Sequence, residues 1–440
     1  MLSQNQPSST KSQIPTDSDG NYVFDANSSL YSTLTESCLP EDIRERLNAV
    51  VYSKAASENA PLWPVISERR LTYAEAFGFD NFAQQRLSNN IFQTTTAVQT
   101  LLDTLESIHQ PTFDRLIQRY KTLQASEQGW FPTTFYLWNR DRYDSTLRTQ
   151  ILGPAPSNPR LLVFPEIFDR MLLHFGRIVG LEFVKSSFPQ TWWNSDVIAY
   201  QVCDAKTGFP AGTFLLDPWQ IAGLSDAASA GYVKNPGILE SGKIQTPVVR
   251  LNANLPEASN GEIVLLSSEY ISFAHELGHA MHFLLKPLNS FTEPLEDYLE
   301  IPSITFERIA KTPTFWKALL GEDPQSPLTT VPDEFLKYMQ YYALNPLTTV
   351  ENQRFILLYS AAALNASMWT GGAEADLGHL MRQSYRDYYF PISDLAQPGY
   401  SSSHFIRPET DATYYMYSFA YVIAADILSV FQESPDFVFD

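Results

Sequence analysis

Three of the seven histidines stand within one eight-residue stretch, "HELGHAMH" at 275–282. It lies inside the mostly apolar run "YISFAHELGHAMHFLL". An apolar run with helical spacing belongs in a core, and imidazoles carried into a core need polar partners. Any fold of this chain is therefore obliged to bring polar groups to this helix. Ser267 can cap its start, Glu269 suits the dipole of its first turn, and Pro287 limits its far end. Between them, His275 and His279 lie one turn apart on one face. That spacing lets both imidazoles reach a single tetrahedral ion, and nitrogen ligands favour zinc. Glu276 is rotated around the helix, poorly placed to ligate and well placed to take a proton from a water activated beside it. His282 shares the face, but it stands seven residues beyond His275. That is about 10 Å along a straight helix. No breaker interrupts "AMHFLL", so His282 reads as a packed neighbour rather than a ligand.

A catalytic zinc site takes three protein ligands and leaves a fourth position open. The stretch "TEPLEDYLEIPSITFE" offers Glu293, Glu296, Asp297, Glu300 and Glu307 for the third. Spacing alone does not choose among them. No G-x-S-x-G is present and no thiol lies near a suitable motif, so no competing nucleophile is in view.

Composition excludes several other classes. A formal net charge of -19 with a pI near 4.8 argues against general nucleic-acid binding, which needs basic surface. Only Cys38 and Cys203 are available, too few for a disulfide framework or a cysteine zinc knuckle, and a reducing compartment is the plain expectation. The first twenty residues lack the apolar core of a secretory signal, and no apolar run approaches the length of a membrane span. The expectation is a cytoplasmic protein with no membrane and no nucleic acid among its partners.

Along the chain, residues 1–25 read as a disordered polar tail and residues 26–185 as a helical region, carried by "AVQTLLDTLESI" and "FPEIFDRMLLHFGRIVGLEF". Residues 186–440 read as the catalytic region. Within it a small sheet spans 190–256, from "DVIAYQV", "GTFLLD" and "TPVVRLNANLP", separated by turn-prone residues. Metal-binding helices follow over 267–310. C-terminal helices are carried by "DEFLKYMQYYA", "RFILLYSAAALNASMW" and "DATYYMYSFAYVIAADILSVF", with Asp411 as a cap that sets Tyr414, Tyr417 and Tyr421 near one face. The class is mainly α.

"HELGHAMH", the acidic "DYLEIPS" and "HFIRPETDATYYMYSFAYVIAADI" together resemble the thimet oligopeptidase/neurolysin-like family of zinc metallopeptidases, over residues 60 to about 430 and shortened at both ends. The resemblance implies a zincin-type fold, with a small β-sheet beside the metal-binding helix and a deep cleft. It implies Glu300 as the third ligand to one zinc ion, completing His275 and His279, and Glu307 as support for a ligand histidine. It makes residues 248–254 the strand along which substrate backbone pairs. It makes Tyr417 the oxyanion donor, Tyr414 a substrate-binding partner and His404 the loop histidine. Thr410 departs from the pattern, standing where the family has tyrosine. The function implied is a monomeric zinc endopeptidase, an oligopeptidase cutting short peptides with Glu276 as the base. A zinc-containing peptide-binding protein with impaired turnover, or a zinc exopeptidase, are the alternatives.

Overall fold

The computed structural model describes residues 30–36, 40–153, 163–186, 192–220, 228–255, 263–265, 267–286, 295–321, 337–338, 341, 345–370, 375–408 and 410–433. The polar tail, Glu293, Pro287 and most of "DEFLKYMQYYA" lie outside them. The chain divides into two compact units, residues 1–155 with 346–418, and residues 156–345 with 419–440. The units are interleaved in sequence, so the C-terminal helices are shared between them.

Among its described residues the first unit is helical. Its longest element, Thr95–Gln128, starts where the Thr94 side chain accepts the Ala97 N–H at 3.1 Å and stops at Gly129, whose φ of +80° is left-handed. Val98, Leu102, Leu105, Phe113, Leu116 and Tyr120 recur on one face and are buried. Most of this stripe packs on the helix Pro346–Ser367, with Leu357, Leu358, Ala361 and Ala362 opposite. A buried carboxylate, Glu351, sits in this core, satisfied by the hydroxyls of Tyr120 and Tyr389 at 3.0 Å each and by Arg140.

"DATYYMYSF" does not fold as the sequence suggests. The helix starts at Met416 and Asp411 to Tyr415 form a turn. Asp411 therefore caps nothing. It is buried, and its carboxylate pairs with Arg70 at 3.3 Å and Arg86 at 3.1 Å. Two guanidiniums on a buried carboxylate outweigh a capping bond that water could replace.

The second unit is built on strands β1 (Val163–Phe164), β2 (Leu181–Lys185), β3 (Ile198–Asp204), β4 (Pro210–Trp219), β5 (Ser229–Lys234), β6 (Gly237–Ile238), β7 (Ile244–Gln245), β8 (Val248–Leu255) and β9 (Ile263–Val264). The main sheet has the order β2-β3-β4-β8-β5, with β4 and β8 parallel and the other neighbours antiparallel. β1 pairs with β9, and β6 with β7. The sheet begins earlier than residue 190, in the stretch read as helical. Helix Glu166–Val179 ends at Gly180, whose φ of +73° only glycine adopts without strain, and "LEFVK" turns back as β2.

In β8, Val249, Leu251, Ala253 and Leu255 are buried and alternate with half-buried residues. With Phe214 and Leu216 of β4 they face the helices Glu166–Val179 and Ser267–Leu285, where Phe168, Phe175, Phe273 and Leu277 complete the core. The "HELGHAMH" helix is thus pressed against a sheet on its apolar side, which fixes its rotation. No helix among the described residues is long and apolar enough to cross a membrane.

Candidate metal centre

The helix Ser267–Leu285 carries both histidines, and the helix Glu300–Ala310 crosses it with Glu300 in its first turn. Their approach depends on Gly278. A Cβ there would meet the Ser303 Cα at 2.5 Å and the Pro302 carbonyl oxygen at 2.7 Å, so the two backbones touch at this point. Burial of Ile301, Ile304, Phe306 and Ile309 holds the second helix in place.

From that contact the polar groups converge. Nε2 of His275 lies 3.2 Å from Oε2 of Glu300, and Nε2 of His279 lies 3.3 Å from the same oxygen. One ligand atom from each of the three residues falls within 4.8 Å of the others, the one such grouping among the described residues. Ligands bound tetrahedrally at zinc distances sit about 3.3 Å apart. The donor set, two imidazoles and one carboxylate, also suits zinc. The residues therefore fit a zinc ion. Glu296, Asp297 and Glu307, the other described candidates, stay outside the group, as does His282, whose ring packs against Tyr298 at 5.8 Å.

Two of the three ligands are held by a further group. Ser303 is fully buried and donates its hydroxyl to Oε2 of Glu300 at 2.7 Å. Nδ1 of His275 faces Oε2 of Glu307 at 3.4 Å, which keeps its proton on Nδ1 and turns Nε2 to the centre. Oε1 of Glu307 in turn accepts from Lys311 and from the Tyr421 hydroxyl at 3.2 Å. The electrostatics favour a cation here. Burial pulls the His275 imidazole down, but Glu300 and Glu307 outweigh it and hold it up at about 10. Burial pushes Glu300 up, and its bonds to His275 and His279 hold it well below the usual carboxylate range.

Glu276 points elsewhere, as its position on the helix requires. Its Oε2 accepts the backbone N–H of Ala230 at 2.7 Å. Burial raises its pKa above the ordinary value, opposed by His279, His275 and the Ala230 N–H. A carboxylate moved toward neutrality is suited to a base.

Ala230 belongs to β5, one of the two edge strands of the sheet. Residues 248–254 are not the edge: β8 is flanked by β4 and β5. Both sides of its ladder are already used, so it has no row of free backbone groups to offer. The edge strands are β2 and β5, and the Ala230 N–H of β5 reaches Glu276 of the metal-site helix.

The remaining sequence candidates gather in the first unit. His404 lies in the short turn Ser403–Phe405, with its ring 5.2 Å from Tyr414, and the Tyr414 ring is 4.9 Å from Tyr417. Buried Thr410 donates its hydroxyl to the His404 carbonyl at 2.9 Å, so the departure at this position serves the loop. Tyr417 stands in the first turn of the helix whose next turn carries Tyr421.

Sequence reading missed Gly278, Ser303 and Ala230, and it named Tyr421 without its partner Glu307. Gly278 carried a signal, since a glycine inside an apolar helix marks a close approach. The others carried none, because their partners are set by packing. Ser303→Ala tests one of them. It removes the donor that fixes Glu300 and is expected to weaken zinc binding about 10–100-fold with the fold intact. Competition against a zinc chelator measures it; unchanged affinity would make Ser303 a packing residue.

Comparison with known proteins adds three findings. The profile of peptidase family M3 matches residues 34–437. Mitochondrial intermediate peptidase of Mus musculus is 24% identical over 306 residues, covering 68% of this chain and 42% of that protein. Organellar oligopeptidase A, chloroplastic/mitochondrial, of Arabidopsis thaliana is 21% identical over 444 residues, covering 94% of this chain and 54% of that one. The chain thus spans about half or less of the length of these relatives. Among solved structures, a putative oligoendopeptidase F shares the fold with a TM-score of 0.51 at 14% identity, covering 98% of this chain and 66% of that one.

Proposed function

Because the chain belongs to peptidase family M3, we propose that it is a zinc-dependent endopeptidase that hydrolyses short peptides as a monomer. The observation that carries this reading is the convergence of His275, His279 and Glu300 on one point, at separations of 3.2 and 3.3 Å, with the Glu276 carboxylate within electrostatic reach of both histidines. A zinc ion bound there supplies a water made acidic enough to lose its proton near neutral pH.

The chain's own residues do the rest. Glu307 and Ser303 hold His275 and Glu300 in ligand orientation. The outer edge of β5 takes the extended substrate backbone as an added strand, which reads main chain and suits a broad range of sequences. Glu276, held beside that edge by the Ala230 N–H, accepts the proton as water attacks the scissile carbonyl. It then passes the proton to the departing amine.

The family pattern assigns Tyr417 to the oxyanion, with Tyr414 or His404 beside it. Tyr417→Phe keeps the ring and deletes one donor. In this reading kcat falls about 10²–10³-fold with little change in KM, and zinc content stays at the parent level. Steady-state kinetics on one peptide decide it; a kcat within a few-fold of the parent would leave Tyr417 as packing. A cytosolic location rests on cysteine usage alone. The relatives are named for mitochondria and organelles, and fractionation that recovers the protein inside an organelle would relocate it.

The direct experiment is metal analysis of the purified protein. The reading expects one zinc per chain, lost on Glu300→Ala and kept on Glu296→Ala. Zinc absent from the parent, or lost on Glu296→Ala, would sink the assignment.

A further inference from the structure

We propose that Asp411, with Arg70 and Arg86, is a positioning cluster that fixes the Tyr417 hydroxyl for turnover. The inference rests on the reading that Tyr417 serves the reaction, and every residue it uses belongs to the first unit.

Each guanidinium holds the turn before Tyr417 at two points. Arg70, on the helix Trp63–Ala76, donates to the Asp411 carboxylate at 3.3 Å and to the Phe405 carbonyl oxygen at 2.6 Å. Arg86, on the helix Phe82–Leu87, donates Nε to the same carboxylate at 3.1 Å and Nη2 to the Pro408 carbonyl oxygen. Residues 405, 408 and 411 are thereby tied to one another through side chains about 320 residues away. The Asp411 carboxylate also accepts the Ala412 N–H at 2.8 Å, and the Asp411 carbonyl accepts the Ser367 hydroxyl at 3.1 Å. Arg70 is itself fixed, with its guanidinium 4.6 Å from the centre of the Phe82 ring.

Stability is not what such a cluster supplies best. The Arg70 and Asp411 side chains are 11% and 5% exposed, and at that depth the loss of hydration offsets most of the attraction between charges. Apolar side chains would fill the space as well. What they could not do is set the spacing between points of a backbone, which directed guanidinium bonds do.

The residues that depend on this spacing come next in the chain. Ala412 and Tyr415 are buried with Leu102, Leu105, Leu357 and Ala361, whereas Tyr414 and Tyr417 are half-buried. The helix begins only at Met416, so the direction in which Tyr417 leaves is set by the turn. That turn is closed by the Met416 N–H on the Thr413 carbonyl at 2.9 Å and the Tyr417 N–H on the Tyr414 carbonyl at 3.2 Å. It lacks the repeating bonds of a helix and takes its shape from what it is tied to. Releasing Asp411 therefore moves Tyr417 while leaving its ring, and the metal ligands, chemically unchanged.

The test is a double-mutant cycle in the whole zinc-loaded chain, read by steady-state kinetics on one peptide. Asp411→Asn keeps the size of the side chain and removes the charge that holds both guanidiniums. Its kcat is expected to fall about 10–100-fold, the cost of a displacement on the order of 1 Å, with KM and zinc content at the parent values. In the Tyr417→Phe background the same substitution is expected to cost less than about twofold, because the hydroxyl it positions is already gone. If Asp411→Asn does not fold, Arg86→Lys carries the cycle. It keeps the charge, but one ammonium cannot stand where both Nε and Nη2 stood, and kcat is expected to fall about tenfold, again only with Tyr417 present. Losses that multiply in the double variants overturn the proposal, since they show the cluster acting independently of Tyr417. A parental kcat in the cluster variants overturns it too, as does a loss confined to KM or to zinc content. Tyr417→Phe with parental kcat refutes the reading of Tyr417 and the cluster with it; an impaired Tyr417→Phe beside unimpaired cluster variants refutes the cluster alone.

Discussion

Glu276→Gln is expected to keep its zinc and lose its turnover. The side chain is not among the three that converge, so metal content should equal that of the parent. Glutamine keeps the length and still offers an oxygen to the Ala230 N–H, so the helix and the edge strand stay in register. What it cannot do is take a proton. General acid–base catalysis contributes about 10²–10⁴-fold, and kcat should fall within that range. Peptide kinetics and metal analysis on the same preparation check both halves. Loss of zinc would make Glu276 a ligand, and activity within a few-fold of the parent would place the base elsewhere.

Gly278→Ala is expected to damage the centre without touching a ligand. Its new methyl group would overlap the backbone of Ser303 and Pro302, at 2.5 and 2.7 Å, and backbone cannot rotate away as a side chain can. The helices must separate. Overpacking of this kind costs about 1–3 kcal/mol. The displaced helix carries Glu300 in its first turn and the supporting Glu307 two turns on, so the ligand leaves the position 3.2 Å from His275. The variant should melt lower than the parent and release zinc at concentrations that saturate it. Glu269→Ala, on the same helix, is the comparison and should do neither. Equal melting temperatures and zinc affinities for Gly278→Ala and the parent would contradict the close packing described here.

These two residues also mark how far the sequence could be read. The histidine spacing, the apolar run around it and the glutamate between the ligands are local, and local periodicity was enough to place them on one helix. The three strand segments were legible for the same reason. The order of the strands was not. "VVRLNANL" alternates cleanly and looks like a strand with one open side, yet it lies inside the sheet; the weaker "SAGYVK" beside it forms an edge. Edge or interior is settled by which strands dock on either side, and no pattern within one strand records it. Asp411 shows the same limit. As a cap it was plausible from its neighbours, but its arginine partners stand 341 and 325 residues away in the chain. Among the third-ligand candidates, spacing left five open. The choice of Glu300 needed the family resemblance, and the structure supplies a physical reason for it: the glycine contact brings that turn to the two histidines, where the Glu300 carboxylate faces Nε2 of both.

The central claim is that this chain cuts internal peptide bonds with a metal held by His275, His279 and Glu300. It is tested most directly by cleavage of an internally quenched peptide whose two ends are blocked, before and after dialysis against a chelator. The account predicts cleavage within the peptide, its loss on chelation, and its return when zinc is added back in stoichiometric amount. Cleavage that persists undiminished through chelation, or a zinc-loaded protein that leaves every blocked peptide intact, would contradict it.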